Sequence, residues 1–218
     1  MTPPQAPNRC RIVLVTPPVA DAAALKSVLG DVLAAGDVAS VVIPQYDLDE
    51  EQFETLAAAL VEPIQAAGAA AMIAGESRVA FRVGADGIHV EGRAALADAM
   101  ERHSGRLMVG TGGAKSRDDA LMLGEYQPDY LFFGRFGYDN RPEPHARNIA
   151  LGRWWSEMTQ VPCIVLGGSS IESAAEVART GADFVALSSA VFADASTAAE
   201  RVAEVNALLD APEFMFDG

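Results

Sequence analysis

The chain is short of cysteine, of positive charge and of long apolar runs, and each shortage removes a class of protein. Its two cysteines, Cys10 and Cys163, stand alone at what read as strand entrances. That spacing builds neither a disulfide framework nor a metal set, so a reduced, cytoplasmic setting is the expectation. Sixteen Lys and Arg face thirty Asp and Glu, a net charge of −14. A surface of that sign repels phosphate backbones and argues against general nucleic-acid binding. An anionic small ligand would need a local pocket rich in N–H groups or cations. No stretch reaches the roughly 18 apolar residues of a membrane span, although half of the 218 residues are hydrophobic. The opening MTPPQAPNRC is polar and proline-rich. It reads as a loose tail over residues 1–10 and not as a secretory signal.

What the chain does have is a regular alternation of short apolar runs and helical patterns. Runs at residues 11–15, 38–43, 70–74, 88–90, 106–109, 129–133, 161–166 and 183–187 read as strands, most of them apolar enough to be buried on both faces. Between them lie helical patterns at 21–35, 49–67 (with Pro63 as a kink), 77–83, 93–103, 116–125, 149–159 and 171–179. Ser116 is placed to cap its helix, and a last helix covers 196–209. Eight strand–helix units over residues 11–209 predict one α/β domain, a single (β/α)8 TIM barrel, followed by a tail at 210–218. A doubly wound open sheet shares the alternation, but phosphate-type turns on the last two strands favour closure.

Those turns are the sharpest feature. Gly167-Gly168-Ser169 follows the seventh strand and Ser188-Ser189-Ala190 follows the eighth, the latter opening a short helix. Glycine and serine turns at neighbouring strand ends present backbone N–H groups to an anion, which makes Gly167, Gly168, Ser188 and Ser189 a candidate phosphate site. The plainer reading is a tight turn and a serine cap. In a barrel, chemistry belongs to the strand carboxyl ends. There stand Thr16, Gln45, Tyr46, Asp47, Gly75, Glu76, His89, Glu91, Thr111 and Arg135. Arg135, Arg141, His145 and Arg147 share one loop, 134–148, of an otherwise acidic chain. They read either as a basic lid over an anion or as a solvated loop balanced by Asp139 and Glu143. His89 is an acid–base candidate or a hydrogen-bonded structural histidine, and His103 a surface residue at a helix end. Trp154 and Trp155 read as anchors of a helix to the barrel or to another subunit. The tail APEFMFDG docks on its own barrel or on a second copy, which would make a homo-oligomer.

Four pieces, RVGADGIHV (82–90), VGTGGAKSRDDAL (109–121), PDYLFFGRF (128–136) and VPCIVLGGSSIESAAEVARTGADFVALSSAVF (161–192), resemble the thiamine-phosphate synthase family and its thiazole tautomerase branch, in that family's order and spacing. The resemblance extends over about residues 11–209. It implies a transferase of thiamine biosynthesis that joins a pyrimidine pyrophosphate to a thiazole phosphate, with Mg2+ assisting loss of pyrophosphate. It further implies that Gly167, Gly168, Ser188 and Ser189 hold the thiazole phosphate and that Thr111 and Gln45 contact substrate. The chain departs from the family pattern in places. The second strand exits through VVIPQYDLD, without the Arg and Lys that grip pyrophosphate there; Arg135 and Arg141 are the candidate replacements, with His89, for the catalytic roles. The two magnesium-binding Asp positions correspond to Ala74 or Gly75 and to Ala94, so no metal ligand is assigned. Arg135 stands where the tautomerase branch has its catalytic His. The alternatives are a divergent phosphate-binding or regulatory barrel, or an enzyme acting on another phosphorylated small molecule.

Overall fold

A computed structural model describes residues 7–18 and 21–216. Eight parallel strands close into one barrel in chain order: β1 (Arg11–Val15), β2 (Val38–Pro44), β3 (Ala70–Ala74), β4 (Gly87–Glu91), β5 (Met108–Gly112), β6 (Tyr130–Phe133), β7 (Cys163–Leu166) and β8 (Phe184–Leu187). Helices α1 (Ala22–Ala34), α2 (Glu50–Ala66), α3 (Ser77–Val83), α4 (Arg93–His103), α5 (Arg117–Gly124), α6 (Ala146–Met158), α7 (Ser173–Ala178), α8 (Ser189–Phe192) and α9 (Ala198–Leu209) wrap it. The strand period of two divides the apolar residues between two layers. Ile12, Leu14, Leu131 and Phe133 face the helices, whereas Val13, Val15, Tyr130 and Phe132 fill the barrel.

An aspartate stands immediately before each even-numbered strand, and each one ties that strand's entrance to the strand before it. Asp86, Asp129 and Asp183 accept the backbone N–H of Ala71, Val109 and Cys163 at 2.6–2.8 Å. Asp37 instead takes the Arg11 guanidinium in two hydrogen bonds. The Gly-Ala-Asp and Pro-Asp signatures of the sequence therefore staple the amino-terminal floor of the barrel, far from the strand ends that carry chemistry.

The fifth strand differs from its expected span. Gly110, Thr111 and Gly112 read as an exit turn, yet they continue the ladder opposite His89, Val90 and Glu91. The ladder uses only backbone groups, and a bare Gly110 leaves room for the Tyr130 ring that lies against it. Helix α6 begins earlier than the apolar pattern indicates, because His145 caps it: its Nδ1 accepts the Arg147 N–H at 3.2 Å. Ser116 caps α5 as expected, accepting from Asp119 N, and α2 runs on through Pro63.

The floor is closed by both chain ends. Arg9 and Cys10, counted with the tail by composition, are buried. Residues 1–6 of that tail, like 217–218 of the other, lie outside the described residues. Arg9 donates to Asp210 Oδ1 (2.6 Å), Asn206 Oδ1 (3.0 Å) and its neighbour's carbonyl (2.9 Å). It also pairs with Met215 in an antiparallel bridge. Phe214 is buried under Arg179, so the tail docks on its own barrel. Arg9→Ala is expected to destabilise the fold by about 1–2 kcal/mol, less than a fully buried pair because Asp210 remains largely hydrated. Urea titration of wild type and variant measures this, and an unchanged midpoint would show that the clasp is ornamental.

Candidate functional site

The carboxyl ends of the strands meet in a mouth that the β6–α6 loop crosses. A cavity of about 330 Å3 lies there, lined by Ala74, Gly75, His89, Val90, Glu91, Ala95 and Phe136. A larger depression, about 450 Å3, lies between the starts of α1 and α2 among Leu48, Asp49, Glu51 and Gln52. Among the described residues it holds no unpartnered buried group, and the strand-end cavity is the chemically equipped one.

His89 projects into the barrel from β4, 4 % exposed, packed on Tyr130, Phe132 and Phe136. Its Nδ1 lies 3.0 Å from the Tyr130 hydroxyl, and its Nε2 is buried without a protein partner. Burial pushes its pKa down to about 3, so the ring is neutral at working pH. Burial likewise raises the Tyr130 phenol, helped by Asp129. The imidazole tautomer sets which of the two donates in that hydrogen bond, and with either tautomer Nε2 has no protein partner. His89 is thus structural on one side and available on the other. Thr16 Oγ1, at the end of β1, is a second buried polar atom without a partner.

The other candidates are placed as follows. The buried Thr111 hydroxyl donates to Val90 O at 3.0 Å. Gln45 is half-buried and donates to Leu48 O. Tyr46, at φ +46, donates to Thr16 O; burial and then the nearby Asp139 charge push its pKa up to about 12. Asp47, Glu76 and Glu91 are exposed. Arg135 is exposed and lies 4.3 Å over the Tyr138 ring; Arg141, His145 and Arg147 are exposed in the same loop. Gly167 and Gly168 are buried, Gly167 N bonding to Ala186 O and Gly168 N to Ser173 Oγ. Ser188 is buried at the start of α8 and makes no side-chain cap; Ser189 is half-buried.

The structure also brings in residues that the sequence did not single out as functional. The Asp139 carboxylate, 4 % exposed, accepts the Ser189 N–H at 2.6 Å. The carbonyls of Arg141 and Pro142 accept from Ser169 N (2.7 Å) and Ser170 N (3.3 Å). Phe136 closes the mouth, its ring 5.0 Å from both His89 and Phe132. The β6–α6 loop and the two turns form one assembly.

A family model described as thiamine monophosphate synthase matches residues 12–191, nearly the whole barrel. The chain belongs to the thiamine monophosphate synthase family. It is similar to a thiamine-phosphate synthase from Rhodospirillum centenum, with 33 % identity over 206 residues, covering 92 % of this chain and 98 % of the relative. The corresponding protein of Hyphomonas neptunium is 30 % identical over 214 residues, covering 93 % and 95 %. Among solved structures, the thiamine phosphate pyrophosphorylase of Pyrococcus furiosus superposes with a TM-score of 0.75 at 20 % identity, covering 94 % of this chain and 98 % of that one. That likeness bears on the fold.

The thiamine monophosphate synthase family is generally magnesium-dependent, and the mouth can be tested for the ion. Magnesium takes hard oxygen ligands in an octahedral set. Ala74 and Gly75 line the cavity without an oxygen-bearing side chain, Ala94 is apolar, and Glu91 is the lining's lone carboxylate. No group of three or more His, Cys, Asp or Glu among the described residues is arranged to hold a metal. The residues present do not fit a magnesium ion in the family's manner. No helix among the described residues is long and apolar enough to cross a membrane.

Proposed function

We propose that the protein is a thiamine-phosphate synthase-type transferase of the cytoplasm, joining a pyrimidine pyrophosphate to a thiazole phosphate. The observation that carries this is the pair of N–H-rich turns after β7 and β8, at the carboxyl end of a closed barrel whose chain matches the family along 12–191. In the reaction the exocyclic C–O bond of the pyrimidine breaks, and pyrophosphate leaves with the electron pair. The thiazole nitrogen lone pair then forms the new C–N bond. Gly167 and Gly168, whose own N–H groups are bonded to Ala186 O and Ser173 Oγ, would give the β7 turn its shape, and the backbone of Ser169 and Ser170 with Ser188 and Ser189 would hold the thiazole phosphate. Arg135 and Arg141 would meet the departing pyrophosphate, as bidentate cations do. His89, neutral and with Nε2 unpartnered, would hydrogen-bond the pyrimidine within the cavity it lines. Gln45 and Thr111 would shape the rim.

A second reading, a barrel that binds a phosphate ester without the transfer step, is favoured by Ala74, Gly75 and Ala94, and by the cation-free exit of β2. Turnover with both substrates and magnesium separates the two. The first reading expects product from wild type and about a tenfold lower kcat/KM for Arg135→Ala, the loss of one charge-assisted bond. No product, with thiazole phosphate still raising the melting temperature, supports the second reading. Neither product nor stabilisation removes both.

A further inference from the structure

Five N–H groups of the two turns, on Gly167, Gly168, Ser169, Ser170 and Ser189, are already bonded within the protein. Three of those N–H groups, on Ser169, Ser170 and Ser189, bond to the Arg141 carbonyl, the Pro142 carbonyl and the Asp139 carboxylate of one short segment. That segment lies flat on the β7 turn. A Cβ added at Gly168 would fall 2.6 Å from Arg141 O and closer still to Pro142 O. Its other end is the Phe136 ring in the barrel mouth. Glycines in conformations that L side chains rarely adopt, Gly134 at φ +153 and Gly137 at φ +78, flank that ring.

We propose that residues 135–142 are an internal strap that holds the phosphate cup shut, with the Asp139 carboxylate standing in for a ligand phosphate, and that a phosphate ester enters by displacing it. The proposal rests on the reading of the β7 and β8 turns as the phosphate site. Asp139 makes no ion pair among the described residues. Its charge is balanced locally by the N–H dipole of Ser189 and by no cation within salt-bridge reach. A phosphate dianion brought to the same N–H would meet a like charge in a poorly solvated place, so the two anions exclude each other. Three oxygens of a phosphate can instead accept the three N–H groups that the strap releases.

The strap also couples the cup to the mouth. Phe136 covers His89 from the same segment that carries Asp139, three residues on. Lifting it frees the cup donors and uncovers the His89 cavity together. Phosphate binding therefore favours the open mouth, and the strap lowers phosphate affinity by the same factor that it favours closure. The anchor at the other end is firm, with Pro142, Pro144 and the His145 cap leading directly into α6.

The test uses the full chain as wild type, Asp139→Ala and the isosteric Asp139→Asn, each checked for folding by its melting curve. Amide hydrogen exchange without ligand is followed at Ser169, Ser170 and Ser189, and inorganic phosphate and thiazole phosphate are titrated calorimetrically. The strap predicts at least tenfold faster exchange at these amides in Asp139→Ala, and at least tenfold tighter phosphate-ester binding by both variants. A merely structural Asp139 would lower the melting temperature and leave affinity unchanged or weaker. Unchanged exchange, or ligand binding no tighter in the variants, overturns the strap. Faster exchange with no phosphate-ester binding by any of the three proteins overturns the phosphate reading of the turns, and with it the competition.

Discussion

Truncating Trp155 to alanine is expected to lower the unfolding free energy by about 4 kcal/mol, within the range for large-to-small changes at buried aromatics. The indole is 1 % exposed and joins four elements. Its N–H donates to Val161 O at 2.8 Å, just before β7. Its ring meets the edge of Phe133 from β6 at 6.0 Å. It also rests on Gly124 of α5, where a Cβ would stand 2.6 Å from the ring. Alanine leaves a void among these groups that closes poorly, since α6 is tied at one end to the strap through His145 and at the other to β7. Trp154 beside it is half-buried with the Arg117 guanidinium 5.2 Å above its ring, and its replacement should matter far less. Urea titration of both alanine variants reads the difference. A loss below about 1.5 kcal/mol for Trp155 would mean that the neighbouring helices collapse onto the vacated space. Pro144 and the His145 cap join the strap directly to α6, so a loosened α6 should also speed amide exchange at Ser169 and Ser170.

The barrel was legible because a buried parallel strand needs a nearly continuous apolar run, and small-residue turns mark its exit. At β5 the pattern misled because backbone and side chains disagree. Gly110-Thr111-Gly112 has turn composition but ladder geometry, since a strand beside the Tyr130 ring needs bare backbone more than β-propensity. The location of the two turns at the strand ends was equally legible, being a matter of glycine and serine at fixed places. What holds their N–H groups was not. Asp139 meets Ser189 across fifty residues of sequence, and nothing local distinguishes an acid that will fold inward from one that balances a neighbouring arginine. The same limit hid the strand-entry aspartates. GADG and GADF carried the family resemblance, yet Asp86 and Asp183 turn out to accept N–H groups from neighbouring strands at the floor. The aspartate motifs mark the frame, and the glycine and serine turns mark the mouth.

His89 should make the fold acid-sensitive in a way that a single substitution removes. Its imidazole titrates near 6.5 in an unfolded chain and at about 3 in the folded barrel, where burial opposes the charge. Between those values the unfolded chain binds the extra proton, so stability falls as pH drops through the window and is unaffected above it. At pH 4 the separation has developed over about 2.5 pH units, about 3 kcal/mol at 1.36 kcal/mol per unit. Carboxylates held low by donated hydrogen bonds, among them Asp119, Glu172 and Asp194, also lose stability on acidification. They do so equally in a variant that keeps them, and cancel in the comparison. His89→Gln offers Tyr130 a polar partner and cannot ionise. At pH 7 the variant should be the less stable protein, through an imperfect fit among Tyr130, Phe132 and Phe136. By pH 4 that deficit should shrink by about 3 kcal/mol and can reverse sign. Denaturant titrations of both proteins at pH 7, 5.5 and 4 measure the change directly. Parallel losses in the two would show that His89 takes up its proton in place, through water admitted by the mouth, and that the ring is far better solvated than its packing implies.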